Sequence, residues 1–184
     1  YYGIASDNVE ALDAVVKRAL DDENDVLLLS GGVSMGDFDL VPGIMEDNGF
    51  QILFDSIAMK PGKPTTFGTG EKTYCFGLPG NPVSTFIQCE MLVKPFLYKM
   101  MGHHYRPPFA LHPLAETYSR KKTERASWVP VMLNDDDTVS PATYHGSAHI
   151  NALCDAYGLL LVPQGVGVLE KGVLIRVNVI NALG

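Results

Sequence analysis

Apolar residues recur at helical spacing early in the chain: Val9, Leu12, Val15, Val16 and Leu20 share one face of "NVEALDAVVKRALDDE", with Asp7 or Asn8 placed to cap it. The spacing predicts a helix, preceded by a short strand in "YYGIA". The period then changes in "DVLLLS" (25–30), a continuous apolar run that reads as a strand buried on both faces. A glycine-rich turn leads into "DLVPGIMEDNG", a second helix closed by Gly49. "FQILFDSIAM" predicts another strand, and "TTFG" and "TYCFGL" on either side of "TGEK" predict a hairpin. "PGNPVSTFIQCEMLVKPFLYKMMG" predicts a helix entered through a proline turn and kinked at Pro95, which lacks an amide proton. The β-α-β-α alternation implies an α/β domain with a parallel-rich sheet and flanking helices.

The texture changes after Gly102. "HHYRPPF" has the composition of a linker, and "ASWVPVML", "TVSPATY", "YGLLLVP" and "GVLIRVNVI" are short strand-like pieces separated by turns such as the acidic "NDDD". These features predict two domains, an α/β domain over 1–102 and a small all-β, barrel-like domain over 103–184, with the boundary near 103–107.

Composition narrows the functional classes. An apolar content of 46 % and a charged content of 19 % are those of a folded chain. The net charge of −7 speaks against nucleic acid, whose binding draws on basic residues, and favours small-molecule partners. No apolar stretch reaches the roughly 20 residues of a membrane span. Cys75, Cys89 and Cys154 have neither disulfide-framework nor zinc spacing, which suits a reducing compartment, the cytoplasm. The chain opens on "YYGIASD" without an initiator Met, as expected of a piece of something longer.

Three segments carry candidate chemistry. "SGGVSMGDFD" follows a strand and precedes a helix, where open α/β sheets bind ligands; its glycines Gly31, Gly32 and Gly36, with Ser34, can turn backbone amides toward an anion. It lacks the lysine of a Walker loop and the spacing of a dinucleotide fingerprint. The plain alternative is a tight connection whose Asp37 or Asp39 caps the helix. "KPGKP" holds Lys60 and Lys63 on one proline-stiffened turn, suited to an oxyanion or simply solvated. "GLPGNPVS" opens a helix, with Gly80 in the turn, Asn81 as N-cap, Pro82 at the first helical position and Ser84 in the first turn. His145 and His149 have helical metal-ligand spacing, but Gly146 and Ser147 between them favour a turn. His103 and His104 suit a helix end.

Taken in order, "LSGGVSMGDFD", "MKPGKPTTFG" and "GLPGNPVSTF" resemble the C-terminal half of the MoeA family, the molybdopterin molybdenumtransferases, which includes the E domain of gephyrin. "AYGLLLVP" and "GVLIRVNVI" are similar to that family's closing β domain. The resemblance implies insertion of molybdate into adenylylated molybdopterin with release of AMP, assisted by Mg²⁺. It implies Asp39 as the essential acid and tentative Mg²⁺ ligand, and it assigns molybdopterin or phosphate binding to Gly31, Gly32, Ser34, Gly36, Gly80 and Asn81. Molybdate binding falls to Lys60, Lys63, Ser84, Arg125 and Ser147. Around Arg125 the family's glycine is Glu124 and its acid is Ser127, and a family asparagine is Tyr157. The family also implies a homodimer completed by N-terminal regions, with a molybdopterin adenylyltransferase as a candidate partner. Two further readings stay open: a molybdopterin-binding scaffold or docking module without turnover, and a molybdopterin adenylyltransferase, which would lack the β-rich second domain.

Overall fold

The computed structural model describes residues 1–33, 40–142, 153 and 155–181. In chain order the elements are α1 (Val9–Asp21), β1 (Val26–Ser30), α2 (Leu40–Asp47), β2 (Gln51–Ser56), β3 (Met59–Lys60), β4 (Pro64–Thr69) and β5 (Tyr74–Leu78). A helical run follows, made of α3 (Pro82–Gln88), a π-helical turn (Cys89–Val93) and α4 (Lys94–Met100). The remainder is strand: β6 (Phe109–Pro113), β7 (Tyr118–Ser119), β8 (Ala126–Leu133), β9 (Val139–Pro141), β10 (Gly158–Val162), β11 (Val168–Leu169) and β12 (Leu174–Val179). Contacts group the chain into two compact units, Tyr1–Ile57 with Gly62–Asn81, and Ala58–Pro61 with Pro82–Gly184.

The first unit is α/β, with strand order β1-β5-β4-β2. Only β1 and β5 run parallel; β5/β4 and β4/β2 are antiparallel, which corrects the parallel-rich expectation. The reason is local: the short turns after β2 and β4 reverse the chain, whereas a parallel return needs a long crossover. Helices α1 and α2 cover one face. Val16 and Ala19 from α1 and Val41, Ile44 and Met45 from α2 close on Leu27, Phe50 and Cys75. Asn8 caps α1 by accepting a hydrogen bond from the Ala11 amide at 2.8 Å, as the sequence predicts. The expectation that β1 is covered on both faces does not hold within this unit, where Leu27 is 7 % exposed and Leu28 45 %. Tyr1–Ala5 forms no strand; Tyr2 instead packs against the core and donates from its hydroxyl to Asp22 at 2.6 Å.

The second unit is built on a sheet of order β3-β8-β10-β12-β6, with β9 paired to β8. All its pairings are antiparallel except β3 with β8. Leu114, Val129, Val131, Val139, Leu160, Val162, Ile175 and Val177 form the core. Strands β8, β9, β10 and β12 fall where the apolar runs predict them. The barrel-like expectation is corrected: among the described residues the path is open, with β3 and β6 as its two ends. "FQILFDSIAM" yields two strands rather than one, its last residues entering the second sheet through β3. Near Pro95 the helical run widens into the π turn just before the proline, relieving the position where a normal turn would bring its ring against a carbonyl. Tyr98 in α4 stacks on Tyr105, beyond the helix, with ring centroids 4.6 Å apart.

Gly158, at the head of β10, has no room for a side chain: an added Cβ would lie 2.4 Å from Val177 Cγ1 and 2.6 Å from the Asn178 carbonyl oxygen. Gly158→Ala is therefore expected to destabilise the protein by roughly 2 kcal/mol. Urea unfolding checks this as a lowered midpoint with an unchanged slope.

Candidate functional site

Two glycine turns meet at the carboxyl ends of the parallel pair β1/β5. The Gly31 amide donates to the Leu78 carbonyl at 3.0 Å, so the ladder between these strands runs on into the first turn. Ser30 Oγ reaches the Pro79 carbonyl at 3.4 Å from the same side. A Cβ placed on Gly80 would sit 3.2 Å from Gly31 Cα, so the turns pack backbone to backbone. Gly31 and Gly32 have φ of +93° and +64°, which side-chain-bearing residues rarely adopt. Ends of parallel strands, with backbone amides close at hand, are where open α/β sheets take anionic ligands.

The walls below this junction are apolar and tight. Val33 and Val41 are buried, and the Val41 amide donates to the Gly32 carbonyl at 3.2 Å, tying the start of α2 back to the turn. Gly77 in β5 faces both valines; an added Cβ would stand 2.8 Å from Val33 and 3.0 Å from Val41. Ser34, Gly36, Asp37 and Asp39, between these anchors in sequence, lie outside the described residues, as do Ser147 and the His145/His149 pair.

The "KPGKP" turn is built by Gly62, at φ +96°, with Thr65 Oγ1 donating to its carbonyl at 3.0 Å. The Ile57 amide donates to the Lys63 carbonyl at 3.0 Å and closes the loop. Lys60 and Lys63 are both exposed, Lys60 in the second unit and Lys63 in the first. Pro82 opens α3 as the sequence predicts, but Ser84 is only 5 % exposed, which leaves its hydroxyl little open surface.

In the second unit, β3 runs parallel to β8 with Met59 opposite Ala126 and Lys60 opposite Ser127. Arg125 precedes β8, and its Nη1 donates to the Met59 carbonyl at 3.3 Å. Lys60 and Arg125, far apart in sequence, are thus held on neighbouring strands. In this neighbourhood Arg120 escapes a sequence reading, and Ser127 enters it only as a departure from the family pattern. The basic "RKK" run around Arg120 looks like a solvated surface, and only the β3/β8 pairing brings Ser127 beside Lys60. Tyr157 places its hydroxyl 3.2 Å from His112 Nε2.

Among the described residues the cysteines are Cys75 and Cys89; Cys154 lies outside them. Burial pushes the Cys75 thiol up to about 12, and burial together with the Glu90 charge raises that of Cys89, so neither is a ready thiolate. Among the described residues no group of three or more His, Cys, Asp or Glu side chains is placed to hold a metal ion. No helix among them is long and apolar enough to cross a membrane.

Comparison with known proteins gives the geometry its context. Residues 1–99 match the family described as "Probable molybdopterin binding domain", and residues 114–180 match "MoeA C-terminal region (domain IV)". A molybdopterin molybdenumtransferase of Staphylococcus epidermidis is 32 % identical over 179 residues, covering 96 % of this chain and 42 % of that protein. One of Bacillus subtilis is 29 % identical over 184 residues, covering 98 % and 43 %. The crystal structure of a molybdopterin biosynthesis MoeA protein from Pyrococcus horikoshii superposes with a TM-score of 0.83 at 29 % identity, covering 98 % of this chain and 43 % of its own. The chain thus spans less than half the length of these relatives.

The Gly31–Gly80 approach has a direct test. Gly80→Ala is expected to push the turns apart and speed hydrogen exchange of the Gly31 amide by roughly fivefold, equivalent to about 1 kcal/mol. Unchanged exchange would mean the two turns separate at no cost.

Proposed function

Because the chain belongs to the MoeA family, whose molybdopterin-binding domain and C-terminal region it matches in that order, we propose that it carries the substrate-binding part of a molybdenumtransferase. The reaction is insertion of molybdate into adenylylated molybdopterin with release of AMP. The observation that carries this reading is the packing of Gly31 on Gly80 at the carboxyl ends of β1 and β5, where open α/β sheets take anionic ligands.

In this reading the turns that carry Gly31, Gly32, Ser34, Gly36, Gly80 and Asn81 hold the phosphate of the pterin substrate, the Gly31 amide itself being committed to the Leu78 carbonyl. Lys60, Lys63 and Arg125 hold molybdate, because a tetrahedral dianion leaving water needs several charge-assisted donors to replace its hydration. Ser84 and Ser147 are assigned to the same anion. Asp39 is the essential acid. Mg²⁺ is assigned to Asp39, as the family resemblance implies. A carboxylate cannot favour molybdate directly, so Asp39 is given the role of holding Mg²⁺ or of positioning water and the adenylate phosphate for the cleavage that releases AMP.

The division into a molybdopterin-binding domain over 1–102 and a C-terminal β domain over 103–184 belongs to the same proposal, supported by family matches that end at 99 and resume at 114. So do a cytoplasmic location, a homodimer and a molybdopterin adenylyltransferase as partner. The β-rich second unit favours the transferase over an adenylyltransferase, which would not carry it.

Two variants of the intact protein test the assignments. Asp39→Ala is expected to keep molybdopterin binding and lose molybdate-dependent AMP release; undiminished release would remove Asp39 from the chemistry. Replacing Lys60 and Lys63 together by alanine should raise the half-saturating molybdate concentration by about tenfold or more, since one charge-assisted hydrogen bond is worth about 1.5–3 kcal/mol. An unmoved value would take both lysines out of the oxyanion site.

A further inference from the structure

Arg120 makes four hydrogen bonds, two to the segment that carries Arg125 and two to the turn that follows β10. Its Nε donates to the Val166 carbonyl at 2.8 Å. Nη1 donates to the Arg125 carbonyl at 2.8 Å and to Ser127 Oγ at 2.9 Å, and Nη2 donates to the Pro163 carbonyl. A guanidinium has five N–H donors, so these bonds leave it little capacity to bind a substrate anion directly. Its partners are four neutral oxygens, and Ser127 is buried at 4 % exposure.

The same short segment is gripped from its other side by β3. The Ala126 amide donates to the Ala58 carbonyl at 3.1 Å, Met59 and Lys60 pair with Ala126 and Ser127, and Arg125 reaches the Met59 carbonyl. Residues 125–127 are thus held between Arg120 and the strand that carries Lys60. The placement of the Arg125 and Lys60 backbones relative to each other depends on both grips.

We propose that Arg120 is a positioning residue for the oxyanion site: it fixes the start of β8 so that Arg125 and Lys60 are presented together. The inference rests on the assignment of those two residues to molybdate. Lysine cannot replace Arg120 in this role, because a single ammonium cannot reach in fixed directions the four acceptors that the planar fork spans.

The test is steady-state AMP release by the intact protein, titrated separately with molybdate and with adenylylated molybdopterin. Arg120→Lys is expected to raise the half-saturating molybdate concentration by about fivefold to tenfold, the net scale of one ordinary hydrogen bond. Half-saturation by the pterin substrate should stay within about twofold. A merely structural lesion would lower the active fraction, and with it kcat, without moving either half-saturation value. Ser127→Ala removes one of the four acceptor groups and should give a smaller rise in the same direction; it decides the matter if Arg120→Lys does not fold. A folded Arg120→Lys variant with unchanged molybdate half-saturation overturns the proposal, as does an unchanged Ser127→Ala where Arg120→Lys fails to fold. Lys60→Ala and Arg125→Ala are run beside them. If these two shift the molybdate value and Arg120→Lys does not, only the positioning role fails; if none of the three shifts it, the oxyanion assignment fails as well.

Discussion

Backbone approaches backbone where Gly31 meets Gly80, and much of the first unit is arranged to allow it. The β1/β5 ladder continues into the Gly31–Leu78 hydrogen bond, and positive φ at Gly31 and Gly32 turns the chain away before it would collide with the turn after β5. Gly77, one strand residue below, leaves space that Val33 and Val41 fill from the two sides of the glycine-rich loop. A side chain at Gly80 or Gly77 would meet a neighbour already in place. The arrangement therefore depends on absent Cβ atoms as much as on the apolar cluster beneath it.

The second unit faces a different constraint, that of holding cationic residues close to one another. Exposed lysines and arginines lose side-chain entropy when fixed, and an isolated pair of like charges repels. Pairing β3 with β8 brings Lys60 and Arg125 to adjacent strands, and the Arg120 fork anchors the backbone that carries Arg125. Placing the constraint on backbone rather than on the charged tips leaves Lys60 exposed and the Arg125 guanidinium committed by one bond, to the Met59 carbonyl.

Local physics was legible wherever one segment could decide it. The Asn8 cap and helical period of α1, the Gly49 stop after α2, the β4/β5 hairpin and the "NDDD" turn between β8 and β9 follow from side-chain spacing, capping and turn chemistry. Errors came where a partner decides. Tyr1–Ala5 has strand composition but pairs with no strand among the described residues. "DVLLLS" is as apolar as a doubly covered strand, yet how much of Leu28 is covered depends on what packs on that face. The π turn ahead of Pro95 is a compromise between one proline and the helix around it, and sequence locates the disturbance without specifying its form.

By itself the sequence determined the two kinds of architecture, the glycine- and proline-rich turns, and the order of motifs that marks the family, because each is written within a few adjacent residues. Only the tertiary structure decided which turns touch and which cations share a strand pair. Gly31 and Gly80 are brought together by a strand ladder, and Lys60, Arg120 and Arg125 by the pairing of β3 with β8. Such juxtapositions depend on register between distant segments, and register is set by the packing of a whole sheet rather than by any residue within it.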